Sequence, residues 1–369
     1  MRGKGKVVVM DKKLPLELDV KLKIECWTYY KMAIIHTLPN YMNWLSSHMK
    51  IFAGIVSESA FFGDKKPHPP EYYSDILYIE EIDLYTVPPD KIVNRIKDEI
   101  DRGFYYVVFI CNENDYSHEA FIYGYNDEEN IFYTISLNEN GHFYANVMSF
   151  EELETGYFKE YKYNEENSDR YYSRHDFGYV MSRIKPTDKY IRKNYAAEYF
   201  DKISSEVYGT RTDLNYFDKF DVSIPPTSYY TGIVCLSFTR NKILEMMNRK
   251  EENIDGEIIA LKRTIFKLYE HRLLIYDSMK WYENVWQVKD RDIIILSEQY
   301  KESCVQMNSI CMIFLKYTFT RANKLLETVA ENLIKQYDIE TSILRSYYPR
   351  IREWYMKNVL PEYFRSNKG

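Results

Sequence analysis

Residues 118–153 read HEAFIYGYNDEENIFYTISLNENGHFYANVMSFEEL. Three runs rich in aromatic and β-branched residues, 120–125, 131–137 and 143–150, are separated by the polar turns 126–130 and 138–141. Strand-type composition broken by Asn, Asp and Gly predicts consecutive hairpins. The run 104–111 supplies a further strand, so an antiparallel sheet is expected here. Ser149 followed three residues later by Glu152 has the form of a capping box, which opens a helix after the last strand.

Upstream, Pro88, Pro89 and Asp90 precede Ile92, Ile96 and Ile100, whose four-residue spacing predicts an amphipathic helix closed by Gly103. Residues 26–38 (CWTYYKMAIIHTL) carry apolar side chains on more than one face and end before Pro39, predicting a buried helix with Cys26 in its first turn. A second helical segment is expected through Trp44, Met49 and Ile51, and 63–70 (GDKKPHPP) is a loop. Downstream, 155–175 is charged and Tyr-rich, and a strand at 178–184 precedes Pro186. Ile258, Leu261, Ile265, Leu268, Ile275, Met279 and Tyr282 then keep helical spacing with one interruption at Arg272. A second apolar stripe covers 292–337. No fixed-period repeat occurs. The expected partition is one mixed α and β domain at 1–187 and a mainly α-helical domain at 188–369.

At 369 residues the chain exceeds the usual size of one core, and 45% hydrophobic with 28% charged residues is an ordinary globular composition. A net charge of −6 argues against nucleic acid as partner. The 37 tyrosines suit an amphipathic cleft, although codon bias gives the same composition. The basic start meets only a short apolar run, VVVM, too few residues for a signal-peptide core, and no stretch approaches the roughly 20 apolar residues of a membrane span. Five unpaired-looking cysteines, Cys26, Cys111, Cys235, Cys304 and Cys311, suit a reducing compartment. The expectation is a soluble cytoplasmic protein without a membrane partner.

Phosphate loops, dinucleotide turns, H-E-x-x-H and C-x-x-C are all absent from the sequence. What remains is Cys26. A helix N-terminus lowers a thiol pKa through its partial positive charge, and its N–H groups can hold an oxyanion. A free cysteine is also a common small core residue, so the nucleophile reading needs a base. His118, at the entry to a strand, titrates near neutral pH and is held by a sheet; its plainer reading is an edge-strand histidine in water. His36 lies almost three helical turns beyond Cys26, too far to be its base. Cys304 and Cys311 share a helix face and read as core, with a metal role as the alternative. The run 183–193 (RIKPTDKYIRK) reads as a solvated face or a dock for an acidic partner.

A cysteine opening an N-terminal helix and a later histidine opening a hairpin strand is the papain-like order. Residues 118–153 resemble the histidine-bearing hairpins of the butirosin-biosynthesis protein H N-terminal family, papain-like acyltransferases of natural-product gene clusters. The shared pattern is a His, an apolar strand, Gly-Tyr-Asp (here Gly124-Tyr125-Asn126), a turn, a strand, and a helix opened by Ser-Phe-Glu-Glu-Leu. It covers roughly residues 14–155.

The resemblance implies an α+β papain-like fold followed by an α-helical region. It also implies acyl transfer from an acyl carrier protein thioester to a small amine or diamine. Cys26 would be the nucleophile, His118 the base, and no cofactor is expected. Two departures from the family pattern stand out. The strand after the histidine strand normally offers Asp or Asn to orient the imidazole, and Ser136 holds that place, with Asn138 and Asn140 as nearby alternatives; Ser136 also reads as a plain sheet residue. No Gln, Asn or His precedes Cys26 in 14–25 as an oxyanion donor. The same site would serve a cysteine peptidase or amidase, and a weak third position would suit a non-catalytic binding protein.

Overall fold

The computed structural model describes residues 10–24, 26–54, 60–63, 70–111, 117–137, 143–167, 181–209, 211–214, 227–248 and 254–366. Asn138, Asn140, most of the 63–70 loop, 168–175 and the first residues of the strand expected from 178 lie outside them. The chain is α+β. It divides into two compact units, Met1–Tyr41 with His68–Tyr190, and Met42–Pro67 with Ile191–Gly369. The expected partition ran linearly to 187; the structure gives residues 42–67 to the second unit. The reason is pairing: β2 (Lys50–Gly54) hydrogen-bonds to β11 (Thr227–Thr231), a partner far along the chain.

The first unit is built on a seven-stranded antiparallel sheet in the order β4-β9-β5-β6-β7-β8, with β1 on β6. Its strands are β1 (Asp11–Lys13), β4 (Leu77–Ile82), β5 (Tyr105–Cys111), β6 (Ser117–Asn126), β7 (Ile131–Leu137), β8 (Phe143–Ser149) and β9 (Met181–Pro186). One edge of β6 pairs with β7 from Phe121 to Asn126. The other edge serves two partners, β5 along 117–122 and β1 along 124–126. Gly124 permits this change of partner: a Cβ there would fall 2.2 Å from the Lys12 carbonyl oxygen.

Alternation along β5 and β6 creates two covered faces. Tyr106, Val108, Ala120 and Ile122 pack on Ile92, Ile96 and Ile100 of α3 (Ile92–Asp101) and on Leu153 and Tyr157 of α4 (Phe150–Glu166). Gly103, at φ +81°, turns the chain from α3 into β5. The capping box at Ser149 and Glu152 opens α4. On the opposite face, Phe121 stacks on Tyr105 at 5.7 Å and on Tyr30 of α1 (Cys26–Ile35) at 4.9 Å between centroids. That stack sets α1 against the strand that carries His118.

The second unit holds α2 (Met42–Leu45), a four-stranded sheet of β2, β3 (Ala60–Gly63), β10 (Arg211–Leu214) and β11 in the order β10-β11-β2-β3, and the helices α5 (Ala196–Tyr208), α6 (Val234–Asn248), α7 (Asp255–Val285), α8 (Arg291–Thr320), α9 (Asn323–Trp354) and α10 (Leu360–Ser366). The helix expected through Trp44, Met49 and Ile51 is instead the single turn α2 followed by β2. Met49 takes φ +65°, which ends any helix, and Ile51 lies in the strand. The stripe at 292–337 is two helices, because Arg321 caps α8 in the left-handed conformation. Among the described residues no helix is long and apolar enough to cross a membrane.

Candidate active site

Cys26 is the first residue of α1, a ten-residue helix with no acidic side chain in its first turn. The first N–H groups of a helix lack intrahelical acceptors and point outward with the positive end of the dipole. A thiolate at Cys26, or an oxyanion beside it, therefore meets a favourable field. Cys26 is half-buried, whereas the other four cysteines are buried. Burial pushes the Cys235 and Cys311 thiols up to about 12 and raises that of Cys304 as well, which makes all three inert as nucleophiles.

The structure brings His118 to Cys26, with imidazole Nε2 3.9 Å from Sγ. Nδ1 lies 2.9 Å from the main-chain oxygen of Glu119. A carbonyl can only accept, so Nδ1 carries the proton and Nε2 presents its lone pair to the sulfur. That is the tautomer a general base for Cys26 requires. The 3.9 Å separation is loose for a hydrogen bond, as is common before substrate draws such a pair together.

The acidic partner is the neighbouring residue. Glu119 Oε2 lies 3.4 Å from His118 Nδ1, and the Glu119 side chain is only 8% exposed. Its other oxygen, Oε1, is buried and makes no hydrogen bond among the described residues. A carboxylate this close favours the imidazolium that forms when the thiol gives up its proton. Strand alternation sends side chains 118 and 119 to opposite faces, which is why Glu119 is easily passed over in the sequence. The two meet because Nδ1 of His118 reaches the Glu119 main-chain oxygen, which brings it beside the Glu119 carboxylate.

Tyr30 is the second residue that sequence reading missed. It stands four places after Cys26, on the same helix face. Burial, then the Glu119 and Cys26 charges, hold its pKa well above the usual tyrosine value, so the hydroxyl beside the thiol stays protonated. The i, i+4 spacing was a usable signal.

Ser136 is not brought to His118. Its hydroxyl accepts a 2.9 Å hydrogen bond from Asn146 Nδ2 on β8, and in β7 it pairs with Tyr144. The β6–β7 pairing ends at Phe121 opposite Ile135, one residue short of Ser136 and three short of His118. His36 stacks on Tyr41, and burial holds its pKa at about 4. Cys304 belongs to the core of the helical unit and Cys311 is buried on the same helix.

Replacing Glu119 with glutamine should therefore lower the second-order rate of Cys26 modification by a thioester about tenfold, the equivalent of about 1.4 kcal/mol of transition-state stabilisation. Ser136→Ala should leave it within about threefold, a change worth under about 1 kcal/mol. Stopped-flow acylation of the two variants separates them, and equal losses would return Ser136 to the orienting role.

No family model matches this chain, and no curated protein matches it significantly.

Proposed function

We propose that this protein is a papain-like, cysteine-dependent acyltransferase that moves an acyl group from a carrier-protein thioester to an amine, forming an amide. The observation that carries the reading is Cys26 at the start of α1 with Nε2 of His118 3.9 Å from its sulfur. The resemblance of 118–153 to the butirosin-biosynthesis protein H N-terminal family supplies the substrate class. Within that family the reaction proposed is similar in kind to that of the amide-forming enzyme of closthioamide biosynthesis, which joins an aryl-acyl chain to a diamine.

His118 takes the Cys26 proton, and the thiolate adds to the thioester carbonyl. The oxyanion lies at the first-turn N–H groups of α1, with the Tyr30 hydroxyl beside the sulfur. The carrier's thiol leaves with the proton held on His118, and the acyl group stays on Cys26. An amine then attacks the acyl-enzyme, His118 accepts its proton, and collapse releases the amide and the free cysteine. Glu119 steadies the imidazolium in both halves. The thioester already carries the activation, so the sequence of steps calls for no cofactor.

Hydrolysis is the second reading, as in a cysteine peptidase or amidase. It is favoured by the 40% exposure of the His118 side chain, which admits water beside the base. The non-catalytic reading rested on the weak third position; the Glu119 carboxylate 3.4 Å from Nδ1 supports the catalytic reading over it.

Intact-protein mass spectrometry after mixing with an acyl carrier-protein thioester should show one acyl adduct, mapped to Cys26 by peptide analysis. Added diamine should discharge it as amide. Discharge to free acid alone, at a rate indifferent to amine, selects hydrolysis. No adduct with any thioester or peptide-like electrophile overturns both.

A further inference from the structure

The three side chains of the site are also a metal-ligand set. Ligand atoms of Cys26, His118 and Glu119 all lie within 4.8 Å of one another. Sulfur, imidazole nitrogen and carboxylate oxygen together suit zinc, a borderline-soft cation, and do not suit magnesium or calcium, which want oxygen alone. Bond lengths of about 2.3 Å to sulfur and about 2.0 Å to nitrogen in a tetrahedron set those two atoms about 3.5 Å apart. Here Sγ and Nε2 are 3.9 Å apart, so a small approach completes the edge.

Two features go beyond proximity. Nδ1 of His118 donates to the Glu119 main-chain oxygen, which fixes the ring with the Nε2 lone pair facing the sulfur; zinc-bound histidines are held in the same way through their other nitrogen. In addition, Oε1 of Glu119 is a buried carboxylate oxygen with no hydrogen-bond donor among the described residues, on a side chain 8% exposed. An unpaired carboxylate oxygen in such a place is costly unless a cation can reach it. The half-buried Cys26 and the 40% exposure of the His118 side chain leave a path for entry.

We propose that Cys26 Sγ, His118 Nε2 and the Glu119 carboxylate form a reversible zinc site with a fourth position open to water. Binding replaces the thiol proton, which is released to solvent, by a sulfur–zinc bond, with no change of oxidation state. The ion ties up nucleophile and base at once, so zinc holds the site at rest and acylation and metal binding exclude each other. The inhibitory consequence rests on the acyl-transfer reading; the site itself rests on the geometry.

The test uses the full chain stripped with a chelator, titrated with zinc against a chromophoric competitor, while iodoacetamide alkylation of Cys26 is followed by intact mass. One zinc per chain is expected, with alkylation suppressed at saturation and restored by EDTA, and no effect of magnesium. Cys26→Ser and Glu119→Gln should each weaken zinc binding by at least about tenfold, since loss of mere supporting contacts already costs 10- to 100-fold. Unchanged melting curves would show that these conservative variants fold. Zinc affinity unaltered in both variants, or alkylation indifferent to zinc, overturns the proposal. Zinc binding without any acyl adduct in the stripped protein leaves the metal site standing and removes acyl transfer. Adduct formation that zinc does not slow does the reverse.

Discussion

His118→Ala should lower the rate of Cys26 acylation by about 10²- to 10⁴-fold, the usual worth of a positioned base, and Cys26→Ala should abolish the adduct altogether. That range corresponds to about 2.7–5.5 kcal/mol of transition-state stabilisation. The loss is expected in kcat rather than KM, because the imidazole acts on the proton and not on the acyl chain. Two contributions to thiolate formation survive in His118→Ala, the N-terminal field of α1 and the Tyr30 hydroxyl. The variant should accordingly regain rate as pH rises and the free thiol ionises on its own, more steeply than the wild type does. A pH–rate profile of acylation, run beside iodoacetamide alkylation, distinguishes this from a folding defect, which would depress both at every pH. If His118→Ala acylates at the wild-type rate, the pair is a structural contact and the nucleophile has another base.

Cys26 and His118 were legible because each stands at an element boundary that local chemistry marks: a helix closed before Pro39, and a strand between polar turns. Those boundaries shifted by only a few residues, α1 ending at Ile35 and β6 beginning at Ser117. The third partner was not legible, for a geometric reason. Sequence pattern gives which face a strand residue prefers, but not which main-chain oxygen a ring nitrogen reaches, and Glu119 enters the site only through that local contact. The place of Ser136 beside Tyr144 and Asn146 depends on strand pairing that no spacing within either strand reveals. The same limit hid the second sheet. Residues 52–54 pair with 229–231, and residues 211–214 pair with 227–230, contacts spread across much of the chain. Helical periodicity was more informative, yet it counted Arg272 as an interruption in the apolar face of α7. The residue is in fact wholly buried.

That arginine sets the largest stability effect expected in the second unit. Arg272 Nε lies 3.2–3.3 Å from the two carboxylate oxygens of Glu340 on α9, and both side chains are within 1% of complete burial. Gln336, one turn earlier on α9, donates 2.7 Å to Glu340 and 2.8 Å to the Ser303 carbonyl on α8. Neither Nη of Arg272 has a hydrogen-bond partner among the described residues. Two neighbours give the cation little help: burial holds the Glu206 carboxyl up at about 7 and pushes His271 well below its usual range. Glu340→Gln keeps the shape but strands a guanidinium that cannot lose its proton, so it should cost about 3–5 kcal/mol, read from the denaturation midpoint of the full chain. The paired replacement Arg272→Met with Glu340→Met should recover most of that loss, because desolvating two charges offsets much of what their attraction contributes. The pair then earns its place by register rather than strength: one connected set of polar contacts reaches α7, α8 and α9, and sliding any one helix by a turn would leave a buried charge unmatched. On that account the double variant should match the wild type in midpoint but unfold less cooperatively, with a lower denaturant slope. A double variant as destabilised as Glu340→Gln would show instead that the ion pair itself stabilises the bundle.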